Sequence, residues 1–301
     1  MLLSKIDQMA PVASEERNFN TISPSAKSLL FMKGHTNIHF ARRTAELINY
    51  PEPYTPDFDG RDLTFWARTY HFENRYWSID QLMEELTMKN ILELASGYSF
   101  RGLEKIKQKG VHYIDTDLPE VVKMKREIIS SLQQESENPE GMLELIPLNA
   151  LDEAHFREIA SRFADGEMVI VNEGLMMYLD LQEKEKLCKI IHGILKERGG
   201  YWITADIYLK NKFRKLDLKL DDQTRAFFEH HRIEENRFES FQEAEAFFRR
   251  MGFVIDREAK VERSKLSSLK YLIKSATLIQ LLKMRHGRKL QATWRLRVAD
   301  K

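Results

Sequence analysis

Residues 90–102 read Asn90-Ile-Leu-Glu-Leu-Ala-Ser-Gly-Tyr-Ser-Phe-Arg-Gly102. Ile91–Ala95 has the makings of a short strand that is apolar on both faces, and such a strand belongs in the middle of a parallel sheet. Ser96-Gly97 is an abrupt small-residue turn, and a helix follows from about Arg101. A glycine there lets the backbone reverse and leaves room for something to lie against it. Glu93 is the anomaly. A buried carboxylate is costly unless paired, so Glu93 either orients the turn or binds a ligand.

Working outward toward the C-terminus, strands and helices alternate, which predicts right-handed βαβ units and a parallel sheet. Val111–Asp115, Met142–Pro147, Met168–Asn172 and Tyr201–Ala205 fit the second to fifth strands. Pro119 opens a helix after the second strand, and Asp152 another after the third. Asp180 with Glu183 has the spacing of a capping box. Leu187, Ile190, Ile191, Ile194 and Leu195 form the buried stripe of the helix it starts. Met251–Ile255 fits a sixth strand and Leu290–Val298 a seventh with period-two alternation. The expected fold is α/β, a mostly parallel seven-stranded sheet flanked by helices. A charged helical insertion spans 208–248, after strand five. The tail from Lys260 holds twelve Lys and Arg against two acids. It reads as a solvated face balancing the insertion, with a contact surface for an acidic partner as the alternative.

Toward the N-terminus, residues 1–88 carry helical patterns and no clear strand, and read as a helical lid on a domain of residues 89–301. Ser25–Lys33 and Ile38–Asn49 have apolar faces, and the prolines between Pro51 and Pro56 force a loop. Phe65–Leu86 is rich in rings, among them Trp66, Tyr70, Phe72, Tyr76 and Trp77. These read as packing of the N-terminal helices onto the main domain, with stacking on a ligand as the alternative.

The chain has 301 residues, 43% apolar and 31% charged, with a net charge of +1 when its nine histidines are neutral. That balance does not advertise nucleic acid or a membrane as a partner. Cys188 is the only cysteine, which excludes an internal disulfide and a multi-cysteine metal site. It lies in a helical apolar pattern and reads as a buried spacer. The first residues lack the pattern of a signal peptide, and no apolar run approaches a bilayer span. A cytoplasmic location is expected. His35, His39 and His71 read as scattered histidines, with a metal or a general base as the alternative; they match no zinc spacing, and no metal site is expected.

In open α/β sheets ligands bind at the carboxyl ends of the strands. The residues there are Ser96-Gly97-Tyr98, Asp115-Thr116-Asp117, Leu148-Asn149-Ala150 and Asn172-Glu173-Gly174. An acid after the second strand is placed to accept from both hydroxyls of a ribose. No G-x-G-x-x-G fingerprint is present to seat a pyrophosphate, and Tyr98 and Phe100 are bulky where a dinucleotide would approach. This disfavours an NAD-dependent oxidoreductase. A cofactor with a ribose and no phosphates, S-adenosylmethionine, fits better.

Three segments then carry a resemblance: ILELASGYSFRGL, HYIDTDLPEVVKMK and VNEGLMMYL. Together they resemble the signatures of the leucine carboxyl methyltransferase family, from about Ser23 to Tyr178, with only architecture in common beyond Tyr208. The family belongs to the Rossmann-like class I S-adenosylmethionine-dependent methyltransferases. The resemblance implies that Lys27, on a helix ahead of a glycine, and Arg75, in RYWSIDQL, reach the cofactor's carboxylate or the methyl-accepting group. It implies that Gly97 is the glycine of the first motif, and that Asp117 binds the ribose, with Asp115 a neighbour open to confusion with it. Asn149-Ala150 stands where the family has an adenine-contacting Asp-Leu, a departure that leaves the pair in use open. Glu173 is expected near the methionyl end and Tyr178 near the acceptor. Glu93 remains among the cofactor-site candidates, as a supporter of the turn.

The implied reaction is O-methylation, with a small-molecule or peptide carboxylate as acceptor, a hydroxyl as the alternative, and S-adenosylhomocysteine as product. A carboxylate is already ionised and needs a positive clamp such as Arg75; a hydroxyl needs a base. A different class of function is a non-catalytic cofactor-binding or interaction protein that keeps the fold, with the insertion and the tail as its working surfaces.

Overall fold

The computed structural model describes residues 23–134, 139–210 and 222–300. Residues 1–22, and 211–221 of the insertion, lie outside them. Strand β1 (Asn90–Leu94) is buried at every position and pairs parallel on both sides, with β2 (His112–Asp117) and β4 (Met168–Asn172). Helices cover both faces of the sheet here, so β1 has no face for water, which is why its sequence does not alternate.

Outward from this centre lie β3 (Met142–Pro147) on one side and β5 (Gly200–Tyr208), β7 (Gln291–Val298) and β6 (Phe253–Glu258) on the other. The order is β3-β2-β1-β4-β5-β7-β6, with β7 antiparallel to both of its neighbours. Strand order reverses between β1 and β4, so the crevice at their carboxyl ends is where a ligand is expected.

The α-helices are α1 (Ser23–Lys33), α2 (Ala41–Asn49), α3 (Leu63–Glu84), α4 (Arg101–Lys105), α5 (Pro119–Gln134), α6 (Glu153–Ala160), α7 (Leu181–Arg198), α8 (Asp222–His230), α9 (Phe241–Arg250), α10 (Leu269–Ser275) and α11 (Leu278–Arg285). One apolar layer joins Leu92, Leu94, Ile170 and Trp202 to the α7 stripe and to Phe247 and Phe248 of α9. The opposite layer joins Ile91, Tyr113, Val169 and Ile203 to Ile79, Leu82 and Met83 of α3. The Asp180 capping box is complete: its carboxylate accepts from the Glu183 N–H, and Glu183 accepts from the Asp180 N–H. Cys188 is fully buried and burial pushes its thiol up, away from reactivity.

Two bounds differ from the sequence expectation in ways that matter. β5 runs on to Tyr208 rather than ending at Ala205, which adds Asp206 and Tyr208 to the crevice end of the sheet. β6 begins at Phe253, because α9 holds to Arg250 and Gly252, at φ +84°, closes its turn. The ring-rich segment forms α3, capped by Asp62. Trp66 stacks on Tyr271 of α10 with centroids 4.6 Å apart. Buried Glu73 accepts four hydrogen bonds from the backbone and hydroxyls of Ser267 and Ser268. No described helix is long and apolar enough to cross a membrane.

Candidate active site

At the end of β1 the chain turns through Ala95 at φ +50° and Gly97 at φ +55°. Left-handed backbone is costly for a residue with a side chain, so Ala95 is held there by its surroundings. A Cβ added at Gly97 would meet only Ala26 of α1, at 3.6 Å, so the turn borders open space. That space is a cavity of about 720 Å3, lined by α1, by α3, and by the turns after β1, β2, β3 and β4.

Asp117 lines this cavity. Its two oxygens accept from the Gly97 N–H at 2.6 Å and the Leu118 N–H at 2.7 Å, which fixes the plane of the carboxylate. Burial raises its pKa above the ordinary value, partly offset by those two bonds. Asp115 is not brought to the cavity. It is fully buried beneath the turn, where Lys125 Nζ reaches it at 2.6 Å and the Ser96 hydroxyl donates to it. Leu148, Asn149, Ala150 and Leu151 form an opposite wall, with Asn149 Oδ1 accepting from the Leu151 N–H at 3.0 Å.

Glu93 also lies away from the cavity. On the α3 face of the sheet it accepts from the Tyr113 hydroxyl at 2.7 Å and from Arg101 Nε at 3.4 Å. Arg101 has no exposed surface and spends its other nitrogens on Asp80 at 2.6 Å, the Tyr76 carbonyl at 3.1 Å and Glu173 Oε2 at 3.1 Å. The anomalous acid in β1 is therefore answered by an arginine in the next helix, and the pair braces the turn between them.

Glu173 lines the cavity after β4. Its Oε1 accepts from Lys33 Nζ at 2.7 Å and Arg75 Nη2 at 3.2 Å. Burial alone would raise its pKa, but Lys33, Arg75 and Arg101 outweigh it and hold the carboxyl down to about 2. Burial lowers the pKa of Lys33, with Arg75 and Arg101 adding to the effect and Glu173 opposing it. Lys27 is not brought here. It is exposed, 5.5 Å over the Phe31 ring, and the α1 lysine at the carboxylate is Lys33.

The loop that carries Glu173 is shaped from β5. Asp206 accepts from the backbone N–H groups of Gly174, Leu175 and Met176 and from Asn172 Nδ2. Two residues on, the Tyr208 hydroxyl accepts from Arg75 Nη1 at 2.8 Å and lies 2.7 Å from His71 Nε2. With the arginine donating, the phenol proton points to an unprotonated His71 Nε2. Burial, then the charges of Arg75 and Arg237, hold His71 neutral with a pKa of about 3. Tyr178, on the short helical turn Met176–Tyr178, shares a hydrogen bond of 3.2 Å with Ser25 of α1.

The residues missed by sequence reasoning carried faint signals. Lys33 stands three and four residues beyond Leu30 and Leu29, on the apolar stripe of its helix. Arg101 opens a helix at the end where a cation is unfavourable, which marks it as bound to something else. His71 precedes Arg75 by one turn of α3. Asp206 and Tyr208 fall beyond the expected end of their strand. His35 packs among Tyr54, Phe58, Phe65 and Trp66 instead of facing a ligand set.

A family model described as Leucine carboxyl methyltransferase matches residues 23–192, more than half of the chain. No curated protein matches the chain in sequence. Among solved structures it is similar to the mitomycin 7-O-methyltransferase MmcR, at 12% identity over 94% of this chain and 76% of that one, with a TM-score of 0.44. It is also similar to magnesium protoporphyrin IX methyltransferase (ChlM) from Synechocystis PCC 6803, at 7% identity over 94% and 100%, with a TM-score of 0.46. An O-methyltransferase family protein from Burkholderia thailandensis gives 14% identity over 93% and 71%, with a TM-score of 0.40.

Proposed function

Because the chain belongs to the leucine carboxyl methyltransferase family, we propose that it methylates a carboxylate oxygen of a small-molecule acceptor, with S-adenosylmethionine as cofactor. When bound, that cofactor supplies a methyl group on a positively charged sulfur. The cavity residues fit it: Gly97 leaves open space, Asp117 offers the remaining lone pairs of a fixed carboxylate to a ribose, and Leu148 and Ala150 give an adenine an apolar wall beside Asn149. Lys33, Arg75 and Glu173 gather opposite charges for the amino and carboxylate groups of its methionyl end.

One observation favours a carboxylate over a hydroxyl. The imidazole nearest Arg75 is held at a pKa of about 3, too low to take a proton from an alcohol or phenol near neutral pH. Tyr208 and Tyr178 are both raised by burial, so neither is ready to act as a phenolate. Arg75 meanwhile places its guanidinium on the cavity wall, and an acceptor that arrives ionised finds a positive partner there and needs no base. What the chain itself contributes is alignment and exclusion of water, effects that reach roughly 7–11 kcal/mol in well-oriented reactions. Tyr178 and α1 cover the site in this scheme.

The test is methyl transfer from tritium-labelled cofactor to a panel of carboxylic acids. Label should enter a base-labile ester, and Arg75→Gln should lower kcat/KM by about a hundredfold, a loss of ~3 kcal/mol. Label in a base-stable product would replace the carboxylate with a hydroxyl acceptor. No cofactor binding by calorimetry would defeat the proposal as a whole.

A further inference from the structure

Arg237 lies in the segment between α8 and α9, away from the turns after β1 to β4, and yet lines the same cavity as Arg75. Both guanidinium groups lie over one ring, that of Tyr208, at 5.9 Å for Arg75 and 5.5 Å for Arg237. Each has a buried Nε with no hydrogen-bond partner. Two guanidinium groups on one wall call for acid groups to face them.

The carboxylate beside Arg237 does not meet that demand. Glu234 pairs with Nη1 from three residues away, and its side chain is 51% exposed, against 15% for Arg237. A pair of that kind sits at the rim, where solvent screens it. Phe72, Phe227 and Phe228 line the same cavity and suit an apolar or aromatic body.

We infer that Arg237 recognises a second acid group on the acceptor, so that the substrate is an apolar or aromatic diacid: one carboxylate is methylated at Arg75 and the other is held at Arg237. This rests on the carboxyl-methylation reading for which group reacts, but its test is one of binding. Calorimetry on the full chain loaded with S-adenosylhomocysteine compares phenylacetate with 4-(carboxymethyl)benzoate, the same body with a second carboxylate. The diacid should bind at least tenfold more tightly. Arg237→Gln should abolish the difference, leaving the affinities for phenylacetate and S-adenosylhomocysteine unchanged. Glu234→Gln, which frees the guanidinium without removing it, should tighten diacid binding further. Equal binding of the two acids, binding of neither, or equal weakening of both by Arg237→Gln would overturn the assignment. Because binding is read without turnover, a failure of methyl transfer counts against the catalytic proposal alone.

Discussion

Glu173 and His71 are the two residues whose charge state the fold controls most visibly, and they lie on either side of Arg75. Both pKa values are depressed in the folded chain, Glu173 to about 2 and His71 to about 3. A depressed folded pKa means that the unfolded state takes up the proton first, so stability is present at higher pH and lost on acidification. For His71 the loss begins as pH falls below its ordinary value of 6.5 and continues toward 3; for Glu173 it runs from 4.5 toward 2. Urea titrations should therefore show stability falling between about pH 6 and 5, with His71 contributing about 1.4 kcal/mol per pH unit and His35, whose pKa burial also lowers, adding to it. His71→Gln should lower the slope from about pH 6.5 down to about 3 and leave the Glu173 contribution, from 4.5 toward 2, in place. An unchanged slope would mean that His71 is not buried neutral. At this scale the sequence was only partly legible. Asp117, Asn149, Glu173, Arg75 and Tyr178 line one cavity, whereas Lys33 and Arg101 owe their roles to helix phase and to partners distant in sequence. Lys27, one face away on the same helix and the lysine that the resemblance implied, points outward.

Helix α3 is the element on which these residues depend. It presents His71 and Arg75 to the cavity, Asp80 to Arg101, and Glu73 to the opposite side, where Ser267 and Ser268 hold it with four hydrogen bonds. Glu73→Ala leaves those donors without an acceptor and should cost about 3 kcal/mol, measured as a lowered urea midpoint. Glu73→Gln, which can still accept, should lose less than the alanine variant. Equal loss in both would put the effect down to the charge rather than to the hydrogen bonds. The strands near the centre of the sheet were legible because burial on both faces leaves nothing but apolar residues and a turn. The end of β5 was not. Asp206 and Tyr208 are polar, and polar residues at a strand end look like loop until the backbone they cap is known.

On the scale of the whole molecule, the cavity is closed on one side by α1, which packs on α2 and α3 and brings Lys33 and Ser25 to the residues after β4. We propose that the described residues 23–88 act as a lid on the sheet domain, held more tightly when the cofactor binds. S-adenosylhomocysteine at a hundred times its Kd should stabilise the chain by about 2.7 kcal/mol, or roughly 5 °C in Tm for a chain of this size. Amide exchange in α1 should slow more than in α7, which lies in the opposite layer. Asp117→Ala should remove most of the Tm shift, and a full shift in that variant would remove Asp117 from the cofactor site. The parallel half of the sheet followed from strand-helix alternation alone. The antiparallel return of β7 did not, because the connection through α10 and α11 has the length and pattern of another crossover.

Arg101 binds Asp80 on α3, Glu93 on β1 and Glu173 after β4, three acids from three separate stretches of the chain. Residues that share one buried partner are strongly non-additive under substitution. In a mutational library these four positions should therefore behave as a single locus. Neutralising any one of them strands charges on the others, so single variants are depleted. Paired losses of Arg101 and one of its acids should survive more often than the product of the single effects allows. The cluster is in that sense an evolutionary ratchet: once assembled, it leaves few one-step routes out, and the turn that it braces is held in place by the difficulty of changing any one part alone.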